Sequence, residues 1–227
     1  MVSLKKARVL IVHSQPVMRY GLVALIRSSK HFEVCAETGE APAARRLFAE
    51  HRPDLVVLNL TLRHGDGIAL IKDFRKLNRA ARALVVTARN DTLSFERVFK
   101  AGACGYVVTQ DETAEVLHAL ERIASGELYA SGTVSRGLLE MLAAGTVETR
   151  KADGRQLSDR ELQVFRLMGS GLGTSRVATE LQVSVKTVET HQSHIKQKLG
   201  LHTGVELNQR AARWLLNATR REQRIRD

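Results

Sequence analysis

The chain has 227 residues, 44% hydrophobic and 26% charged, the balance of a folded protein long enough for two modest domains and not of a disordered or fibrous one. No apolar run is long enough to cross a bilayer, MVSLKKARVLIV has only a short apolar stretch, and Cys35 and Cys104 stand far apart without CxxC or His-rich spacing, so no membrane span, signal peptide, disulfide framework or zinc site is expected and a reducing cytoplasm fits best. The net charge of +11 is uneven: residues 150–227 hold 15 basic and 8 acidic side chains, residues 1–149 hold 20 and 16, and the shorter part has the charge density of a phosphate-facing surface.

The first half alternates short β-branched runs with longer stretches of helical spacing. Strands are predicted at Ala7–Val12, Phe32–Thr38, Leu55–Leu60, Ala83–Thr87 and Gly105–Val108. Helices are predicted at Val17–Ser28, Ala41–His51, Gly67–Leu77, Leu93–Ala101 and Glu112–Ser125. Five βα units imply an α/β domain over residues 1–126, a five-stranded parallel sheet with helices on both faces. Residues 127–155 read as a Gly-containing linker with one short helix, Val134–Ala144. From Leu157 onward the pattern is all helical: Asp159–Gly169, Thr174–Leu181, Val185–Leu199 and Val205–Asn217, a four-helix domain over 156–218 followed by a charged tail, 219–227.

Within the helical part, Ser158 precedes a helix with Glu161 three residues on, the spacing of a capping box. Gly171 suits a left-handed helix terminus and Thr174 a cap of the next helix. A short turn, Gln182–Ser184, leads into Val185–Leu199, capped by Ser184, with Val188, Ile195 and Leu199 inward. Lys186, Glu189, Thr190, Ser193, Lys196 and Gln197 face outward. Two short helices, a tight turn and a longer helix with a polar face form a helix-turn-helix, whose second helix enters the major groove of double-stranded DNA.

Residues 157–217 resemble the LuxR-type (NarL/FixJ) DNA-binding domain, through Leu157, Ser158, Glu161, Gly171, Ala178, Leu181, the run Ser184-Val185-Lys186-Thr187-Val188, His191, Ile195, Lys198 and Leu199. The resemblance implies that the third helix reads DNA and that the fourth packs behind it and forms a dimer contact. Carried over residue by residue, Lys186, Thr187 and Lys196 hold phosphates, while Glu189, Thr190 and Ser193 lie against base edges. Glu189 departs from the basic residue of some members; a carboxylate accepts from a cytosine amino group but repels phosphate, so it aims at bases or at an adjacent lysine. His191 is read as structural, packed between helix and backbone. Val205, Leu207, Ala211, Trp214 and Leu215 exceed what one packing face needs and are assigned to a homodimer surface, the alternative being that Trp214 closes the domain's own core.

Residues 7–125 resemble the receiver domain of two-component response regulators, through VLIVHSQPVMRYGL, RPDLVVLNLTLRHGDG, VVTAR and GACGYVV. That implies a flavodoxin-like fold and a pocket built from an acidic pair after the first strand, an aspartate ending the third, a hydroxyl ending the fourth and a lysine after the fifth. Here the pair reads His13-Ser14, the acceptor Asn59, the hydroxyl Thr87 and the lysine Thr109, so four of five positions are replaced. An amide forms no acyl phosphate, and without the acidic pair the magnesium site is lost, so no metal or cofactor is expected. Asp54 opens the same strand roughly 16 Å from Asn59, at the wrong end, and Asp66, in the following loop, lacks the rest of the apparatus. Asn59 precedes Leu60 and not a glycine, which disfavours deamidation to aspartate. His13-Ser14 is no hydrolase pair, since adjacent strand residues point to opposite faces and no nucleophile elbow surrounds Ser14; the chain is not expected to be an enzyme. Thr87 and Tyr106 match a hydroxyl-to-aromatic switch pair, either frozen or differently triggered. Cys35 and Cys104 read as small buried hydrophobes.

The expectation is a cytoplasmic, dimeric, sequence-specific DNA-binding transcription regulator, an atypical response regulator independent of aspartyl phosphorylation. Abundance, a protein partner, a small ligand in the vacated pocket or constitutive dimerisation would then replace the phosphoryl signal. The rival reading is an interaction protein whose receiver-like half binds a kinase or another regulator, with DNA binding secondary; a partner bound without sequence preference in DNA would mark it.

Overall fold

Runs such as Val9-Leu10-Ile11-Val12 and Leu55-Val56-Val57-Leu58 are apolar at successive positions, so neither face of the strand can be left in water. Both faces are covered in the computed structural model, which describes residues 6–88, 92–110, 112–132, 134–136, 139 and 156–224. β1 (Ala7–Val12), β2 (Phe32–Thr38), β3 (Leu55–Leu58), β6 (Arg82–Thr87), β7 (Gly105–Val108) and β8 (Tyr129–Ala130) form one parallel sheet in the order β2-β1-β3-β6-β7-β8. Alternate strand residues feed two cores. Leu10, Val12, Val56, Leu58, Val85 and Tyr106 pack with α2 (Ala41–His51), α3 (Gly67–Leu77) and α4 (Thr92–Ala101). Val9, Ile11, Leu55, Val57, Leu84 and Val107 pack with α1 (Pro16–Ser28) and α5 (Thr113–Ala124). This is the flavodoxin-like arrangement, extended at one edge by β8. Both cysteines are half-buried, and the Cys35 thiol, pushed up by burial, donates to the Val9 carbonyl at 3.4 Å.

The third strand is shorter than its apolar run. Its ladder stops at Leu58, because Leu60 N–H turns back to the Asn59 side chain at 2.7 Å and the chain enters a two-rung antiparallel hairpin, β4 (Thr61–Leu62) against β5 (Gly65–Asp66). Gly67 N–H then donates to the Leu60 carbonyl at 3.0 Å. A Cβ on Gly67 would stand 2.4 Å from the Asn59 carbonyl oxygen and 2.8 Å from Leu60 Cα, so only glycine lets α3 start this close to the end of β3.

The chain divides into two units, Met1–Leu138 and Leu139–Asp227. Val134, at the start of the predicted linker helix, is buried in the core of the first, while residues 140–144 lie outside the described residues. In the second unit, α6 (Asp159–Gly169), α7 (Thr174–Leu181), α8 (Val185–Leu199) and α9 (Gly204–Arg224) surround Leu162, Phe165, Val177, Leu181, Val188, Ile195, Leu207 and Ala211. Gly171 adopts φ +87° after α6, Gln182 takes the left-handed conformation between α7 and α8, and Gly200 ends α8 at φ +66°. Two sequence expectations are corrected. Thr174 is not a cap: Gly173 occupies that position and Thr174 Oγ1 instead accepts from Gln192 Nε2 at 3.0 Å. The last helix does not end at Asn217 but continues to Arg224 through residues of good helical propensity.

Gly67→Ala should lower the urea midpoint of the full-length protein by the equivalent of about 1–3 kcal/mol without changing the slope, since the obstructing atoms are backbone. A midpoint within error of the wild type would show that the turn relaxes freely.

Candidate functional site

Parallel pairing brings the sequence-predicted pocket residues to one edge of the sheet, the carboxyl ends of the strands. Asn59 N–H donates to the Val12 carbonyl at 3.0 Å, His13 N–H to Thr38 at 2.9 Å and Thr109 N–H to Thr87 at 2.9 Å. His13 and Thr87 are each 2% exposed. The pocket positions have committed polar atoms to their own neighbourhood. His13 Nδ1 accepts from Gln15 N–H at 3.2 Å, Ser14 Oγ donates to the Thr61 carbonyl at 2.9 Å, and Asn59 Oδ1 accepts from Leu60 N–H. Asp66, buried, caps α3 by accepting from Ala69 N–H at 3.0 Å. Asp54 sits at the other end, where its carboxylate accepts from Arg8 N–H at 2.8 Å. Tyr106 is fully buried, its ring edge-on to Phe95 with centroids 4.8 Å apart, and by strand alternation it shares a sheet face with Thr87.

Sequence reasoning missed Arg19. Its guanidinium donates to the His13 carbonyl at 2.8 Å and stands 3.9 Å from Glu37, closing the end of β1. Burial, and second the Arg19 charge, push the His13 imidazole down to about 4.

In the C-terminal unit the capping box forms as the spacing requires: Glu161 N–H donates to Ser158 Oγ at 3.3 Å and Ser158 N–H donates to Glu161 Oε2 at 2.7 Å. The same buried carboxylate accepts from Lys198 Nζ at 2.6 Å, with His194 Nδ1 at 3.9 Å. Burial alone would raise the Glu161 carboxyl, but the Lys198 ammonium and the Ser158 hydrogen bonds outweigh it and hold the group below the usual carboxylate range. Gln192, bonded to Thr174, fixes the middle of α8, and Arg160 donates to the Leu181 carbonyl at 3.1 Å. These clamps leave one face of α8 outward. Lys186, Glu189, Thr190 and Ser193 are exposed, and Thr187 and Lys196 are half-buried. At 3.6 residues per turn they spread over about half of the helix circumference, with Thr187 and Lys196 at its two margins. Glu189 lies 3.8 Å from Lys186, the Thr190 hydroxyl donates to the Lys186 carbonyl at 2.9 Å, and the Thr187 and Ser184 hydroxyls are 2.8 Å apart. His191 is half-buried and its Nδ1 makes no hydrogen bond among the described residues. Burial, and second the Arg160 charge, lower its pKa.

Residues 9–121 match the family described as the response regulator receiver domain, and residues 155–211 match the bacterial regulatory proteins of the luxR family. A nitrate/nitrite response regulator protein homolog of Haemophilus influenzae is 30% identical over 200 residues, 88% of this chain and 93% of that protein. The chain belongs to the LuxR-type response regulators. The virulence-factor transcription regulator BvgA of Bordetella pertussis is 31% identical over 88% of this chain and 94% of its own. Among solved structures, a two-component response regulator of the LuxR family from Aurantimonas sp. SI85-9A1 is 33% identical with a TM-score of 0.59, over 61% of this chain and 99% of that one. RcsB of Salmonella enterica serovar Typhimurium bound to promoter rprA has a TM-score of 0.60 at 23% identity, over 92% of this chain and 99% of that one, a likeness of fold.

In this response regulator α9 corrects part of the sequence assignment of a dimer surface. Leu207 and Ala211 are 1% and 0% exposed, and the Ala211 backbone lies against Gly169 of α6, so they belong to the domain's own core. Trp214 also turns inward, half-buried, with its ring 5.8 Å from that of Phe165 and the Arg166 guanidinium 5.3 Å from its centroid. Leu215 is half-buried beside Gly169. Val205 and Leu216 remain exposed. Among the described residues no helix is long and apolar enough to cross a membrane.

The folded pKa of His13 is depressed, so its contribution to stability is present above the ordinary 6.5 and is lost as the pH falls from there to about 4. Glu161, also depressed, adds a loss that begins near 4.5 and deepens below it. The urea midpoint should therefore fall between pH 7 and pH 4, and His13→Gln should flatten the part above pH 4.5. A wild-type midpoint constant across that window would contradict the buried neutral imidazole.

Proposed function

We propose that this protein is a sequence-specific DNA-binding transcription regulator that acts without aspartyl phosphorylation. Its working parts are a receiver-like domain over 1–126, a linker over 127–155 and a helix-turn-helix domain over 156–218. The observation that carries the reading is the contrast between the two. The outward half of α8 carries residues suited to a DNA-reading helix, whereas the carboxyl edge of the sheet presents His13, Ser14, Asn59 and Thr109 where acyl phosphate chemistry needs three carboxylates and a lysine. An imidazole, a hydroxyl and an amide do not fit a hard cation such as magnesium, and an amide oxygen is not a phosphoryl acceptor. Thr87 and Tyr106 then have no phosphoryl group to answer to, and regulation comes by another route, through abundance, assembly or a partner on the receiver-like domain.

Lys186, Thr187 and Lys196 contact phosphates in this reading, and Glu189, Thr190 and Ser193 face bases. The Lys186–Glu189 pair keeps the carboxylate from the phosphates, because the lysine lies beside it at 3.8 Å. Two subunits bind an inverted repeat, with Val205 and Leu216 as the apolar residues of α9 left for the second copy.

Incubation with magnesium and acetyl phosphate should add no phosphoryl mass to the intact protein; stoichiometric, base-labile phosphate on any aspartate would overturn the first half of the proposal. For the second half, Lys186→Glu or Lys196→Glu should weaken binding to all duplexes and flatten its salt dependence. Thr190→Ala or Ser193→Ala should change preference at particular base pairs by about 1–3 kcal/mol in a binding-site selection. If all four substitutions affected selected and random DNA alike, α8 would not be the reading helix.

A further inference from the structure

The outward half of α8 also carries His194, four residues beyond Thr190 and about 40° around the helix from it, with a side chain 55% exposed. Its Nδ1 stands 3.9 Å from Glu161 Oε1. The other oxygen of that buried carboxylate, Oε2, takes Lys198 Nζ at 2.6 Å and the Ser158 N–H at 2.7 Å. Nδ1 therefore looks to α6, and Nε2, the second ring nitrogen, makes no hydrogen bond among the described residues. Reading helices meet base edges with their N-terminal residues, and His194 is the tenth residue of α8, past that stretch.

The charged and titratable groups about this ring come from two helices. From α6, Glu161 favours a proton on the imidazole and Arg160 opposes one. Along α8, Lys198 lies four residues on and already engages the Glu161 carboxylate, and His191 lies three residues before, half-buried and with its pKa lowered by that burial. A phosphate at Nε2 would set a second anion across the ring from Glu161. An imidazolium between two anions donates to both, and histidine is the side chain whose charge ordinarily changes between pH 5 and 8.

We propose that His194 is a further DNA contact, an imidazolium that donates from Nε2 to a duplex phosphate while Nδ1 faces Glu161, and that each subunit takes up one proton from solvent at this ring as it binds. The proposal rests on the reading of 156–218 as a DNA-binding domain. A ligand that favours the protonated ring must bind more tightly as the pH falls, because the coupling between proton and phosphate is reciprocal. Glu161 then has a third duty besides capping α6 and holding Lys198: it fixes which nitrogen of His194 is turned outward. The contact belongs to the backbone and not to the bases, so it adds affinity on any sequence.

The test uses the full-length protein with His194→Gln and His194→Lys. Dissociation constants are measured at constant salt from pH 6.0 to pH 8.0 on two duplexes of equal length, one selected by the wild type from a random pool and one of unselected sequence. Wild-type binding should tighten as the pH falls, by up to about tenfold per pH unit for each bound subunit, and equally on both duplexes. The Gln variant should keep less than half of that pH slope and lose affinity mainly at pH 6.0. The Lys variant, charged throughout the range, should lose the slope as well but bind more tightly than the wild type at pH 8.0. Helix content should match the wild type in both, since the side chain is more than half exposed. A wild-type slope retained by the Gln variant would overturn the proposal, as would a Lys variant no tighter than the Gln variant or a slope confined to the selected duplex, which would mark a base contact. Wild-type binding that ignores pH would overturn it while leaving the DNA-binding reading intact, and binding to neither duplex at any pH would sink both.

Discussion

One carboxylate holds the C-terminal unit in its working form. Glu161 closes the first turn of α6, receives the ammonium of Lys198 from the far end of α8, and does both from a site almost without water. Removing it would leave the Ser158 N–H without its acceptor and the Lys198 ammonium without its partner at once, and a donor left unpaired on folding costs more than its hydrogen bond contributes. The orientation of α8 relative to α6 therefore follows from an electrostatic requirement, with Gln192 and Arg160 fixing the rest of the helix. On the outward face of α8, Glu189 and Thr190 bond along their own helix, to Lys186.

The N-terminal unit separates scaffold from chemistry. Everything that positions a receiver pocket is intact: the parallel strands ending together, the forced glycine at the start of α3, Thr87 and Tyr106 on the same face of the sheet. The polar atoms at that edge belong to an imidazole held neutral, an amide and two hydroxyl-bearing side chains, and Arg19 closes over the end of β1. The sheet itself is stabilised by two apolar cores that do not involve those atoms.

Much of this was readable from spacing alone. Successive apolar runs gave the central strands, and the Ser158/Glu161 and Ser184 signals placed two helix starts to the residue. Two-residue elements carry no periodicity, which is why β8 and the β4/β5 hairpin were not legible. The end of β3 was hidden for another reason: Leu60 is apolar and buried like the strand before it, and only its bond to the Asn59 side chain shows that the ladder has stopped. On α9, counting apolar residues does not tell an inner face from an outer one, which is why Leu207 and Ala211 read as a dimer surface although both are buried in the domain's own core. Glu161 was legible as a cap, but not as the partner of Lys198, which lies 37 residues away and was visible only in three dimensions.

The sheet also has two edges, and neither invites another strand. At one side β8 is only Tyr129 and Ala130 long, and the Tyr129 hydroxyl is tied to Glu115 of α5. At the other, β2 sets Glu33 and Glu37 outward at alternating positions. Short or charged edges are how proteins discourage strand-to-strand growth. An open parallel sheet blunted on both sides does not grow by strand addition once folded, so a second copy of this chain has its helix surfaces, rather than a strand edge, to pack against.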